Sequence, residues 1–151
     1  MFAAALLLAS LLASPVEPST VEGYYFRGDG LGVNQALDLY ANHRFGFLWR
    51  GCLGVYGRGS GTWSLSGDRL VLKDESRDES GDYRVVRWGP RVYLIPEESM
   101  IRFCEAIRQG GEPRNDSFGM FYLRQEDWEK PASGLPEVPA EFVRYLPKQA
   151  K

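Results

Sequence analysis

Cys52, Cys104 and His43 are the side chains best suited to nucleophilic or metal chemistry, and their spacing fits neither. A nucleophile needs a base within hydrogen-bond reach and a third group to orient that base. His43 is the only histidine and falls in Ala41-Asn42-His43, between two apolar runs, where Asn42 tolerates positive φ and a hairpin turn is expected. The histidine then reads as an exposed turn residue. Structural zinc takes four ligands, and one histidine with two cysteines committed elsewhere does not supply them. No metal and no cofactor are expected.

Other constellations fail on local context. Gly28-Asp29-Gly30-Leu31-Gly32 and Gly57-Arg58-Gly59-Ser60-Gly61 have the glycine content of phosphate loops. A phosphate loop presents its amides through a helix that follows at once. A strand-like run follows the first segment, and the second lacks a Gly-Lys-Ser/Thr ending. Both read as turns or bulges. Asp74, Glu75, Asp78, Glu79 and Asp82 do not have calcium-loop spacing, and Lys73 and Arg77 interleave them, so Lys73 to Asp82 reads as a solvated loop. Nothing selects two of the twenty acids as a glycosidase pair. With no nucleophile, base and orienter to name, catalytic residues are expected to be none and the chain is expected not to be an enzyme.

Two chemical features remain. Phe45, Phe47 and Trp49 alternate with Arg44 and Arg50, so the three rings share one face of a strand and could line a cavity for a small apolar ligand. Cys52 and Cys104 form an even pair that would oxidise in an exported protein. Their bond would close a loop of about 50 residues, worth roughly 4 kcal/mol. The alternative is two buried, unpaired thiols.

Export is expected from MFAAALLLASLLAS, an uncharged apolar run over residues 1–14 that Pro15 and Pro18 end. It has signal-peptide length and is shorter than the roughly 20 residues that a helical membrane span requires. The expected layout is a signal peptide over 1–14, a linker over 15–20, a single β-rich domain over 21–147 and a tail over 148–151. The expected compartment is periplasmic or extracellular. A net charge of −2 with scattered Lys and Arg offers no basic stripe, so no nucleic-acid partner is expected.

The elements that would position these residues are mostly strands. Short apolar runs alternate with turn signals from Val21 to Ile95. Expected strands are Val21 to Arg27, Asn34 to Tyr40, His43 to Arg50, Leu53 to Tyr56, Gly59 to Leu65, Arg69 to Lys73, Tyr83 to Trp88, Arg91 to Ile95 and Ser117 to Arg124. Eleven of the seventeen glycines lie between Gly23 and Gly67, a density suited to strongly curved sheets. The period changes in Glu97 to Gln109, where Met100, Phe103, Cys104 and Ile107 form one helical stripe. That stripe places Cys104 where a bond to Cys52 would staple helix to sheet. A short C-terminal helix is expected within Gly134 to Leu146. The fold class is mainly β: an antiparallel up-and-down barrel or strongly curved sheet with one inserted helix and a short C-terminal helix. A two-sheet sandwich suits the same strands.

Gly61-Thr62-Trp63, running through Ser66-Gly67-Asp68 into Arg69-Leu70-Val71-Leu72, resembles the small exported lipocalin-like bacterial β-barrel proteins of uncharacterised function. The opening Gly23-Tyr24-Tyr25 before Gly28-Asp29-Gly30-Leu31-Gly32 and the hairpin into Arg44-Phe45 are similar to them as well. Lipocalins proper carry Gly-x-Trp in the first strand, whereas here it is mid-chain. The resemblance implies a barrel and no substrate. The resulting expectation is a non-catalytic exported barrel that binds a small apolar ligand, or else an interaction module or inhibitor with a cell-envelope protein as partner.

Overall fold

The computed structural model describes residues 20–75, 80–110, 113, 121–130, 138 and 140–146. The expected signal peptide over 1–14, the tail over 148–151 and nearly all of the linker lie outside the described residues, as does the middle of the acidic Lys73 to Asp82 segment.

Eight antiparallel strands follow one another around a closed barrel. They are β1 (Gly23–Gly28), β2 (Val33–Leu39), β3 (Arg44–Gly51), β4 (Gly54–Ser66), β5 (Arg69–Asp74), β6 (Ser80–Trp88), β7 (Arg91–Pro96) and β8 (Tyr122–Arg124). Period-two alternation decides which face turns inward. Tyr25, Leu37, Leu39, Phe45, Trp63, Leu70, Leu72, Val85, Val92, Leu94 and Tyr122 form the interior cluster. The alternate positions of β3 to β5 carry Arg44, Arg50, Arg58, Ser60, Ser64, Arg69 and Lys73. Most of the outer face of β3 to β5 is thus polar, while the interior cluster is apolar. No helix among the described residues is long and apolar enough to cross a membrane.

The turns are set by local chemistry. In the β2–β3 turn the positive φ falls on His43, at 60°, rather than on Asn42. Asn42 instead accepts the Arg44 amide through its side-chain oxygen at 3.1 Å, which is what leaves the next position to turn left-handed. The two runs expected as Leu53 to Tyr56 and Gly59 to Leu65 are one continuous strand, β4. Gly57-Arg58-Gly59 does not break it, because these residues stay paired with Trp49, Leu48 and Phe47. The irregularity falls instead as a bulge between Trp49 and Arg50.

A second core lies outside the barrel wall. The expected stripe forms α1 (Met100–Arg108) and buries Met100, Phe103, Cys104 and Ile107. They pack on Val86, Trp88, Tyr93, Ile95 and Leu123, outward residues of β6 to β8, and on Phe121 just before β8. The expected C-terminal helix is a 3-10 helix, Ala140–Tyr145, whose Phe142 completes this layer.

The bond expected between Cys52 and Cys104 is not formed: both thiols are free. Cys52 is exposed in the β3–β4 turn, where its thiol points to the Leu31 carbonyl at 3.3 Å. Cys104 is buried under α1 against the Phe142 carbonyl, and burial pushes its thiol up to about 11. An even count carries no distance, and apolar packing alone seats the helix. Native alkylation should therefore modify Cys52 rapidly and Cys104 only after unfolding. Recovery of one linked peptide pair under non-reducing conditions would contradict this.

Closure rests on little backbone. β8 meets β1 through Tyr25↔Arg124 and Phe26↔Leu123, and β7 through Tyr93↔Leu123 and Leu94↔Tyr122. The fully buried Asp127, just beyond β8, fixes the join. One of its oxygens accepts the Val92 amide at 2.9 Å and Arg124 Nε at 3.0 Å, while Lys130 donates to the other. Burial pushes the Asp127 carboxyl up, but the Lys130, Arg124 and Val92 donors outweigh it and the net shift is downward. A depressed carboxylate stabilises the fold above its ordinary pKa of about 3.9, and that contribution is lost as pH falls through the folded value. Asp127→Ala should cost roughly 3 kcal/mol at neutral pH by leaving the buried Val92 amide without its acceptor and loosening Arg124 and Lys130. It should also flatten the acid limb of stability against pH, as urea unfolding across pH 2–7 would measure.

Candidate binding site at the barrel mouth

Register arranges the interior of β1 to β4 in rows. The innermost is Gly23↔Leu39↔Phe45↔Gly61, next comes Tyr25↔Leu37↔Phe47↔Gly59, and the outermost is Arg27↔Gln35↔Trp49↔Gly57. Facing each ring across the β3–β4 pair is a glycine. At Gly61 a Cβ would lie 1.9 Å from the Lys73 carbonyl and 2.9 Å from the Phe45 ring, so no larger residue fits. Gly61 thus makes room for the Phe45 ring, while at Gly59 a Cβ would lie 2.6 Å from the Asp74 carboxylate.

One end of the barrel is closed. The Tyr25 hydroxyl donates to the Val21 carbonyl at 2.8 Å, and Trp63 Nε1 donates to the Tyr40 carbonyl at 3.0 Å. His43 stacks over Trp63 with ring centroids 4.4 Å apart. That contact gives the histidine a structural task at the floor, far along the strands from the opening.

The other end is open, because the strands are staggered. β5 joins β4 only from Gly61 onward. Gly54 therefore stands seven residues further out, about 23 Å at the usual strand rise. Along this gradient Phe45 is 4% exposed, Phe47 is half-buried against the core and Trp49 is 37% exposed. The three ring positions expected to bind together thus do different jobs. Phe45 is core, Phe47 lies between core and opening, and Trp49 forms the rim, 5.5 Å from the Tyr56 ring.

Beside the aromatic residues, in the same row as Trp49, sits a polar group that the sequence reading did not single out. Arg27 donates through Nε to the Gln35 side-chain oxygen, which also accepts the Tyr122 hydroxyl at 3.2 Å. The Arg27 guanidinium lies 4.5 Å from the centre of the Tyr122 ring, a cation–π contact. Tyr83 meets Tyr122 edge-on at 5.9 Å. Burial raises the pKa of both phenols, outweighing the opposing effect of Arg27, so both remain proton donors at neutral pH. A signal was available: Tyr25 and Arg27 are two apart in β1 and must share a face.

This arrangement offers one cation, one amide and two phenolic donors beside an aromatic wall. It provides hydrogen-bonding and charge recognition, with no positioned nucleophile and base among the described residues. No group of three potential metal ligands occurs among those residues either. A separate outer cleft of ≈ 290 Å³ is lined by Arg69, Asp82, Tyr83, Arg84 and Glu97. Its charges are spent on one another: Arg69 pairs with Asp82 at 2.8 Å and Arg84 with Asp68 at 2.7 Å, while Glu97 bridges Arg84 and the Tyr145 hydroxyl. That seam ties the C-terminal 3-10 helix to β6.

No protein-family model matches the chain, and no curated protein matches it. Among solved structures it is similar to the Cpx pathway activator NlpE from Escherichia coli, with 20% identity and a TM-score of 0.39. The match covers 52% of this chain and 44% of that one, so the chain spans less than half the length of that protein. A likeness this slight assigns no role.

The gradient along β3 has a measurable consequence. Phe45→Ala should destabilise by roughly 3–5 kcal/mol, as for a filled core position. Trp49→Ala should cost about 1 kcal/mol or less, as for a surface position. Chemical denaturation of the two variants checks this, and equal losses would place both rings in one environment.

Proposed function

We propose that the chain is a non-catalytic binding barrel that takes a small, mainly apolar molecule at its open end. The observation that carries this reading is the Arg27–Gln35–Tyr122 cluster, set on the interior wall beside the half-buried Phe47 and the rim residue Trp49. Binding sites are typically apolar concavities with a few placed polar groups, and this mouth has that composition. The filled floor leaves the outer rows as the place for a ligand. The apolar body would lie against Phe47 and Trp49, and any polar end would reach Arg27. The apolar run at residues 1–14 supports export as the setting for this activity.

The test is a matched pair of fluorescent probes, anilinonaphthalene sulfonate with an anionic group and N-phenylnaphthylamine without one. Both should bind saturably and quench Trp49. Arg27→Met should weaken the anionic probe by roughly tenfold, the loss of one charge-assisted contact, and leave the neutral probe nearly unchanged. Absence of saturable binding by either probe to the folded protein would overturn the reading.

A further inference from the structure

The most exposed apolar side chains of the described protein gather at the two hairpin tips beyond the mouth. Leu31, in the β1–β2 turn, is 79% exposed, and Leu53, in the β3–β4 turn, is 91% exposed. The tips are neighbours: the Cys52 thiol reaches the Leu31 carbonyl at 3.3 Å, and Val33 pairs with Gly51. Val33, Val55 and Tyr56 are each more than 40% exposed around them. Exposed apolar groups this concentrated mark an interaction surface. They protrude on two narrow turns and form no groove.

The charges nearby select the occupant. Arg50 and Arg58 stand exposed on the outer face of β3 and β4 just behind the tips, and neither has an ion-pair partner among the described residues. The acid at the tips, Asp29, is exposed and held ionised by bonds to its own hairpin, so Arg50 and Arg58 outnumber it by one. Its Oδ1 accepts the amides of Leu31, Gly32 and Val33 at 2.9, 2.8 and 3.3 Å, bonds that hold the carboxyl below its usual range. Glu75, whose amide bonds to the Ser60 carbonyl at 3.1 Å, lies about 20 Å behind Gly54 by strand rise, and both of its carboxylate oxygens are engaged by Arg44. Aliphatic tips in front of a cationic collar suit a surface with an apolar interior and an anionic face.

We propose that these tips dock the barrel on an anionic lipid surface, with Leu31 and Leu53 entering the headgroup boundary and Arg50 and Arg58 meeting the lipid phosphates. The docking stands apart from the mouth reading, because probe binding in solution involves neither leucine. It also points the open end of the barrel at the membrane.

Flotation with vesicles tests it. The purified protein should float with equal parts phosphatidylglycerol and phosphatidylcholine, and much less with phosphatidylcholine alone. Leu31→Glu and Leu53→Glu should each weaken partition by about tenfold or more. Arg50→Gln and Arg58→Gln should each weaken it by about fivefold, on the anionic vesicles only. Thermal melting should stay unchanged in all four, since the side chains are exposed. In the unmodified protein, brominated lipid should quench fluorescence, and Trp49→Phe should remove most of that quenching. A wild-type protein that fails to float with anionic vesicles overturns the proposal, as does undiminished flotation after replacing both leucines. A dimer in sedimentation that dissociates on leucine replacement, with no vesicle binding, would make the tips a self-interface and overturn it too.

Discussion

β8 is three residues long and closes an eight-stranded sheet because Asp127, just after it, engages Arg124, Lys130 and the Val92 amide together. Four residue pairs on the two sides of so short a strand would fray alone. The buried carboxylate ties the end of β8 to the start of β7, and Arg124 reaches on to the Thr20 carbonyl at the entry to β1. Three strands converge at one charge cluster. Arg91 extends the same corner by donating to the Lys130 carbonyl at 2.8 Å, which seats the 125–130 segment over the end of the barrel. Isolated surface ion pairs contribute little, whereas a carboxylate held out of water must keep all its donors or lose the fold around it.

Closing the barrel there fills one end and leaves the other to the stagger of β4. Thirteen residues of β4 face only six of β5, so the β3–β4 hairpin has to run past the rim. Its inward side cannot be as crowded as the floor, because glycines alternate there with outward polar residues. Solvent reaches Trp49 for the same reason. The open mouth, the half-buried aromatic wall and the projecting tips are three results of one difference in strand length.

Much of this was legible in the chain. Alternation in β2, β3 and β5 specified both faces, and the helical stripe of α1 was visible residue by residue, since all four of its members are buried. The closed antiparallel barrel agrees with the expected fold class. What escaped the sequence was set by contacts distant along the chain. Gly57 and Gly59 carry turn chemistry locally, and only their pairing with Trp49 and Phe47 across the ladder makes them strand residues. Arg27 ended the expected first strand with no role assigned, and its interior contacts depend on Gln35 and on Tyr122, which lies nearly a hundred positions away. Cys52 and Cys104 matched in number and compartment, but nothing in spacing revealed that one sits on a hairpin tip and the other beneath a helix on the barrel's flank. Asp127 was one acid among twenty until the fold chose it.

Residue-level amide hydrogen exchange under native conditions tests most directly the claim that β8 locks a barrel closed at one end and open at the other. Amides of Tyr122, Leu123 and the facing Tyr25 and Phe26 should exchange only through global unfolding, with the same protection as the fully buried Leu94 of β7. Those of Gly54 to Gly57, beyond the β5 rim, should exchange through local opening at far lower free energy. Exchange of the β8 amides as fast as that of the hairpin would show that the seam opens independently, and would contradict the account.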